Sequence, residues 1–190
     1  GYSYHINAHE FGSSLRDNVP TDRYVEIKST IKNVEYGEEG IKSLTLDDGS
    51  NISADLYIDC SGFKRVLIDK LTTFNPYKGL INNAAVWGSV KTQSYRPSTI
   101  SIAQKYGWIW ETPTWGQIGS GYVFCDDFIS ISDAEKYMIN YWKLKGYNWK
   151  PKRSVKFNSG SLNSIAVKNV ISNGLGQSFI EPLEATSIMV

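Results

Sequence analysis

The sequence predicts a mixed α/β chain with a mostly antiparallel middle, and three observations predict it. Short apolar runs alternate with Gly/Asp turn signals, as where "EEG" and "DDGS" bracket "IKSLTL". One helix is clearly marked, at Asp133 to Lys145. Near the end, "VISNGLGQSF" runs from a strand into a glycine-rich turn. The 190 residues suit one ordinary domain with a real core, and 41% apolar and 21% charged residues are globular proportions.

The elements follow in chain order. "YSYHIN" reads as a short strand, and "AHEFGSSLRD" has helical spacing with Ala8, Phe11 and Leu15 on one stripe. Val25 to Ile27 and Ile31 to Tyr36 read as strands, followed by "IKSLTL" with Ile41, Leu44 and Leu46 apolar. "LYIDC" is a nearly continuous apolar run, as in a strand buried on both faces, and it ends in the small pair Ser61-Gly62. From about Pro76 to Asn158, "AAVWGSVKT", "STISIAQ", "GWIWET" and "GYVFCDD" form antiparallel strands. The marked helix has Ser132 as its N-cap candidate, Glu135 three residues on, an apolar stripe of Tyr137, Tyr141 and Leu144, and Gly146 as its stop. "KNVISNGLGQSFIEPLEATSIMV" gives a strand, a glycine-rich turn and the start of a helix.

Charge and composition exclude some partners. The net charge is +1 with both signs mixed, so neither nucleic acid nor an anionic membrane surface is an expected partner. No apolar run approaches the roughly 18 residues of a membrane span. Cys60 and Cys125 have no CxxC spacing and read as free, buried thiols in a reducing compartment, the cytoplasm. The chain opens on Gly1 and stops inside the apolar run "SIMV", so it is expected to be an internal piece of a longer protein.

Several constellations carry potential chemistry. His5 and His9 are four apart, but HxxxHE is not HExxH, and no metal site is expected. Gly119-Ser120-Gly121 reads as a hairpin turn rather than a phosphate loop, because no helix follows. "IDCSGF" is either a plain strand exit or a ligand turn at the carboxyl end of a strand, where open α/β sheets bind ligands. Glu184, followed by Ala185, Thr186 and Ser187, is either a helix-start acid or a carboxylate beside anion-binding amides, suited to acid–base work. Trp108 and Trp110 in "GWIWETPTW" point the same way if the segment is a strand, and they serve either a core or a wall around a reactive compound.

Taken together, these stretches resemble the flavin-dependent tryptophan halogenase family. "WIWETP" resembles its WxWxIP signature at Trp108, Trp110 and Pro113, with Thr112 in place of Ile. "GLGQSFIEPLEATSI" resembles its G-x-x-x-G-F-x-E-P-L-E-S-T-S-I segment, matching at Gly174, Phe179, Glu181, Pro182, Leu183, Glu184, Thr186, Ser187 and Ile188. "ADLYIDCSGF" resembles A-D-L-x-I-D-C-S-G-F, and "YHINA" resembles Y-H-x-D-A with Asn7 for the acid. The family's GxGxxG fingerprint, its lysine segment and its C-terminal helices have no counterpart here.

The resemblance implies part of a Rossmann-like FAD-binding domain with an inserted, mostly antiparallel substrate-side sheet. It implies three parts: residues 1–73 of the FAD-binding part with the β-meander, 74–165 of the substrate side, and 166–190 returning to the FAD-binding part with the flavin and halide turn. It also implies halogenation of an electron-rich aromatic such as tryptophan or another indole. Reduced FAD, supplied by a separate flavin reductase, reacts with O2 to a flavin peroxide, and chloride or bromide becomes hypohalous acid. In that scheme Glu184 is catalytic and the backbone at Thr186 and Ser187 binds halide. Ser61, Gly62, Gly174, Leu175, Gly176 and Phe179 contact the cofactor, and Trp108, Trp110 and Pro113 part flavin from substrate. The piece alone is expected to be inactive. A flavin-dependent aromatic monooxygenase of the same superfamily, or a non-catalytic relative that binds an aromatic ligand or a protein, are the alternatives.

Overall fold

The computed structural model describes residues 4–93 and 96–181. In chain order its strands are β1 (Ile31–Gly37), β2 (Gly40–Leu46), β3 (Asn51–Ile52), β4 (Tyr57–Asp59), β5 (Phe74–Pro76), β6 (Ala84–Lys91), β7 (Ile100–Gln104), β8 (Gly107–Thr114), β9 (Gln117–Phe124), β10 (Lys150–Lys156), β11 (Gly160–Leu162), β12 (Ala166–Val167), β13 (Val170–Ser172) and β14 (Ser178–Phe179). The α-helices are α1 (Ala8–Asp17) and α2 (Ile131–Leu144). The mixed α/β class is as predicted. None of the helices among the described residues is long and apolar enough to cross a membrane.

The chain divides into two compact units, Gly1–Val25 with Ile81–Phe157, and Glu26–Leu80 with Asn158–Val190. The cuts fall elsewhere than at residues 73 and 165, and α1 groups with the middle sheet. Within that unit the His5 imidazole Nε2 lies 3.3 Å from the Thr99 hydroxyl.

The first unit is built on a five-stranded antiparallel sheet in the order β10-β6-β9-β8-β7. One face carries the core: Ala84, Val86 and Val90 of β6, Ile109 of β8, and Ile118, Tyr122 and Phe124 of β9 pack with Ala134, Met138 and Trp142 of α2 and with Trp149. Residues two apart on a strand share a face, which is why these positions alternate. Helix α2 starts two residues earlier than predicted. Ser130, not Ser132, is the N-cap, its hydroxyl accepting from the Asp133 amide (3.1 Å) and donating to the Asp133 carboxylate (2.8 Å). The buried stripe is correspondingly Ala134, Met138 and Trp142 at i, i+4 spacing, while Leu144 stays exposed. Tyr137 is used as a lid on Tyr122, ring centroids 5.5 Å apart.

Other expectations are corrected. Residues 4–7 form no strand; Asn7 instead caps α1, its side chain accepting from the His9 amide. Helix α1 is present, but Phe11 and Leu15 are exposed and it buries no residue. Residues 25–27 form no strand either, and the hairpin between β8 and β9 turns at Trp115-Gly116. Gly119-Ser120-Gly121 therefore lies inside β9, not at a turn.

The second unit contains three small sheets among the described residues: β1-β2-β3, β14-β11-β5 and β12-β13-β4. Its core joins Ile41 and Leu44 of β2, Tyr57 of β4, Leu67, Ile68, Leu162 and Val170. Strand β4 is not buried on both faces: Tyr57 and Asp59 are inside, whereas Leu56, Ile58 and Cys60 are exposed. The strand alternates because the described residues cover only one of its faces, and Cys60 is exposed on the other, contrary to its reading as buried; Cys125 is buried.

The α2 stripe gives a stability test. Met138 is fully buried and Leu144 is 80% exposed. In the full-length protein Met138→Ala should lower unfolding stability by about 2–5 kcal/mol, and Leu144→Ala should stay within about 0.5 kcal/mol. Denaturant midpoints of the two variants check the assignment; equal effects contradict it.

Candidate functional site

In the second unit β4 and β13 are parallel neighbours, Tyr57 opposite Val170, Ile58 opposite Ile171 and Asp59 opposite Ser172. Both strands therefore end at the same level. The Cys60-Ser61-Gly62 exit and the Asn173–Gly176 exit lie side by side, in the position where parallel sheets bind ligands. Each exit winds into one short 3₁₀ turn, Gly62–Lys64 and Gly174–Gly176.

The first turn is shaped by Asp59. Its carboxylate is 2% exposed and accepts from the Ser61 amide (2.9 Å), the Ser61 hydroxyl (2.6 Å), and the Leu67 and Ile68 amides (2.8 and 3.0 Å). Burial alone raises a carboxyl pKa, but these donors outweigh it and hold Asp59 below the ordinary carboxylate value. The Ser61 hydroxyl in turn accepts from the Val66 amide at 2.8 Å. The second turn is tied to the same strand: the Asn173 amide donates to the Asp59 carbonyl (3.0 Å) and the Asn173 side chain accepts from the Gly174 amide (2.9 Å).

The two turns also hold each other. Arg65, in a left-handed conformation at φ 46°, donates from Nε to the Gly176 carbonyl at 2.9 Å. Its guanidinium lies 3.8 Å above the Phe74 ring. Phe63 meets Phe179 edge to face, centroids 5.1 Å apart. A Cβ at Gly176 would stand 3.0 Å from both the Gly62 carbonyl and the Ser172 hydroxyl, so only glycine fits without displacement. On the other side, Gly62 and Gly174 (φ 66° and 67°) present bare backbone, with none of the described residues within 4 Å of where a Cβ would be. Leu175 is exposed beside them.

In the first unit Trp108 and Trp110 share the sheet face opposite α2, both half-buried, with ring centroids 6.0 Å apart and planes at 56°. The core reading of this pair is not met, since Ile109 between them takes the core position. Pro113 is buried in the same strand. Glu184, Thr186 and Ser187 lie outside the described residues. Glu181, the last described residue, is left-handed at φ 51°, its amide donating to the Ser159 hydroxyl at 3.1 Å.

Sequence reasoning missed three residues here. Asp59 was hidden in what reads as an apolar run, and Arg65 has no motif of its own. Glu111, between the tryptophans and Pro113, points to the core side and is 2% exposed. It accepts from Tyr141 (2.6 Å), Lys145 and Arg96 (3.4 Å), joining β8 to the last turn of α2. Burial, with the Glu111 hydrogen bond and charge behind it, pushes the Tyr141 hydroxyl far above its ordinary pKa. The available signal was the single charged residue of its strand.

One unit thus carries two parallel strand ends that exit into small-residue turns, and the other an antiparallel sheet that bears an indole pair. The chain belongs to the tryptophan halogenase family, whose profile matches residues 1–190. It is 32% identical to tryptophan 6-halogenase ThaL of Streptomyces albogriseolus over 98% of this chain and 37% of ThaL. The structure resembles the tryptophan 6-halogenase SttH from Streptomyces toxytricini (TM-score 0.84, 28% identity, 96% of this chain and 38% of that one). It also resembles BrvH, a flavin-dependent halogenase from Brevundimonas sp. BAL3 (TM-score 0.83, 29% identity, 97% and 39%). The chain thus spans 37% of the length of the curated relative.

The Asp59 hydrogen bonds make a pH prediction. A carboxyl whose folded pKa is lowered adds stability that is present above its unfolded pKa, about 4, and is lost as pH falls through the folded value. Asp59→Asn, which cannot accept on both side-chain atoms, should therefore be less stable than wild type by about 2 kcal/mol at pH 7. The gap should shrink as pH drops below about 4. Unfolding curves of both proteins across that range check it, and a constant gap contradicts it.

Proposed function

We propose that this chain is the flavin-turn and partition portion of an FAD-dependent halogenase that chlorinates or brominates an electron-rich aromatic such as tryptophan or another indole. The observation that carries the reading is the side-by-side exit of β4 and β13 into two glycine turns, in a chain of this family. The residues present fit a flavin nucleotide. Among the described residues the buried Ser172 hydroxyl has no hydrogen-bond partner, and bare backbone at Gly62 and Gly174 lets a flat group approach closely. Ser61, Gly62, Gly174, Leu175, Gly176 and Phe179 would hold it. Bound there, reduced FAD supplies, with O2 and halide, the electrophilic halogen species.

The remaining work falls to side chains and amides of this chain. Trp108 and Trp110 present two large, weakly flexible rings on one face and, with buried Pro113 stiffening the strand, keep the aromatic substrate apart from the oxidant. Backbone N–H groups at Thr186 and Ser187 hold the halide, as amides at a helix start do. Glu184 accepts the proton that leaves the ring carbon when halogen is added, or polarises the delivered halogen. A separate flavin reductase in the cytoplasm supplies reduced flavin.

Glu184→Gln separates the acid–base role from binding. In the full-length protein halogenation should fall by about 10²–10⁴, with flavin binding and oxygen consumption retained. Thr186→Ala and Ser187→Ala should change halide affinity only modestly, because their contact is through the main chain. Single-turnover kinetics with reduced flavin, O2 and halide measure each step, and near-wild-type halogenation by Glu184→Gln sinks the assignment.

A further inference from the structure

Gly121 has no conformational reason to be glycine. It sits within β9, in register with Trp110 of β8 on one side and Trp87 of β6 on the other. It is not among the glycines with left-handed φ, and glycine inside a strand weakens it. Its neighbour Gly119, on the same face, would meet only the Thr112 carbonyl at 3.7 Å with an added Cβ. At Gly121 the situation is different. A methyl group there would overlap Cη2, Cζ2 and Cζ3 of Trp110, the far edge of the indole, and no backbone atom is among the three nearest. The Trp110 ring therefore lies across β9 on the space that the missing side chain leaves.

We propose that Gly121 is a positioning residue: the bare site it leaves on the sheet fixes the tilt of the Trp110 indole against Trp108, and thereby the partition between oxidant and aromatic substrate. This rests on the partition reading above. A side chain at 121 moves the ring and spares the strand, because the atoms it meets are the movable end of a side chain. The core on the α2 face is untouched, since Ser120 and Tyr122, not Gly121, point into it.

The test uses the full-length protein with Gly121→Ala, Trp110→Phe and the double variant. Phenylalanine has none of the three atoms that the new methyl would overlap. The readouts are near-ultraviolet circular dichroism, thermal unfolding, and halogenated product formed per reduced flavin oxidised, with KM and kcat separated. Gly121→Ala should fold, change the tryptophan signal and lower the product yield per flavin by about tenfold, since a displacement near 1 Å can cost on the order of 10² in rate. In the Trp110→Phe background the same substitution should change that yield by less than about twofold, because the two sites act as one. An unchanged yield in folded Gly121→Ala overturns the proposal, and so does an equal drop in both backgrounds. If Gly121→Ala fails to fold and the double variant folds, the clash with the indole is upheld; if neither folds, the clash lies elsewhere and the proposal fails. Failure of the partition reading looks different: Trp110→Phe then keeps the wild-type yield while Gly121→Ala still alters the tryptophan signal.

Discussion

The shape of the candidate cofactor turns depends on one buried carboxylate. An ionised group removed from water costs several kcal/mol unless hydrogen bonds replace its solvent. Asp59 recovers that cost from the Ser61 amide and hydroxyl and from the Leu67 and Ile68 amides. These donors come from the turn itself and from the segment that follows it, so the carboxylate pulls the chain back on itself after β4. The Asp59 carbonyl meanwhile receives the Asn173 amide. A single residue thus shapes the first turn through its side chain and anchors the second through its backbone. Arg65 and the Phe63–Phe179 contact close the pair from the far side. The buried Ser172 hydroxyl, opposite Asp59 at the end of β13, is left without a hydrogen-bond partner among the described residues.

The middle sheet solves a different problem with glycine. Two indoles are too large to lie over a sheet in which every position bears a side chain. On the α2 face a Cβ at Gly88 would run into the Lys150 carbonyl and come 2.7 Å from Trp149 Cε2, so that position stays empty for the neighbouring strand as well as for the ring. On the opposite face Gly121 does the same for Trp110. Ser120 lies between, donating to the Trp110 carbonyl (2.7 Å) and accepting from the Trp142 indole (3.3 Å). One strand, β9, thereby organises aromatic packing on both faces. The run read from sequence as a hairpin turn, Gly119-Ser120-Gly121, is the centre of that arrangement.

What was legible in the sequence followed from local chemistry. The strands from β6 to β9, the helix α2 and the two glycine turns were readable because turn residues and apolar alternation are local signals. The stripe of α2 was misjudged by one position, since Tyr and Leu look as apolar as Met and Trp until the sheet decides which face is covered. The isolated runs at residues 4–7 and 25–27 have strand-like composition but take part in no strand ladder among the described residues, and composition alone does not make a strand. Cys60 looked buried for the same reason that Asp59 was missed: a run of apolar letters hid an alternation in which the acid is inside and the thiol outside.

The residues missed from sequence share a physical character. Asp59, Arg65 and Glu111 are charged groups whose partners are amides, carbonyls or side chains distant in the chain. Spacing rules carry no information on such contacts, because the Arg65–Gly176 bond closes across 111 positions and the Glu111–Tyr141 bond across 30. Motif resemblance located the turns and the tryptophans but not what holds them. That support decides function as much as the named residues do, since a flat cofactor or a pair of indoles works only where its surroundings are rigid. In this chain the rigidity comes from buried carboxylates: one under the paired turns, and one on the core side of the strand that carries the tryptophans.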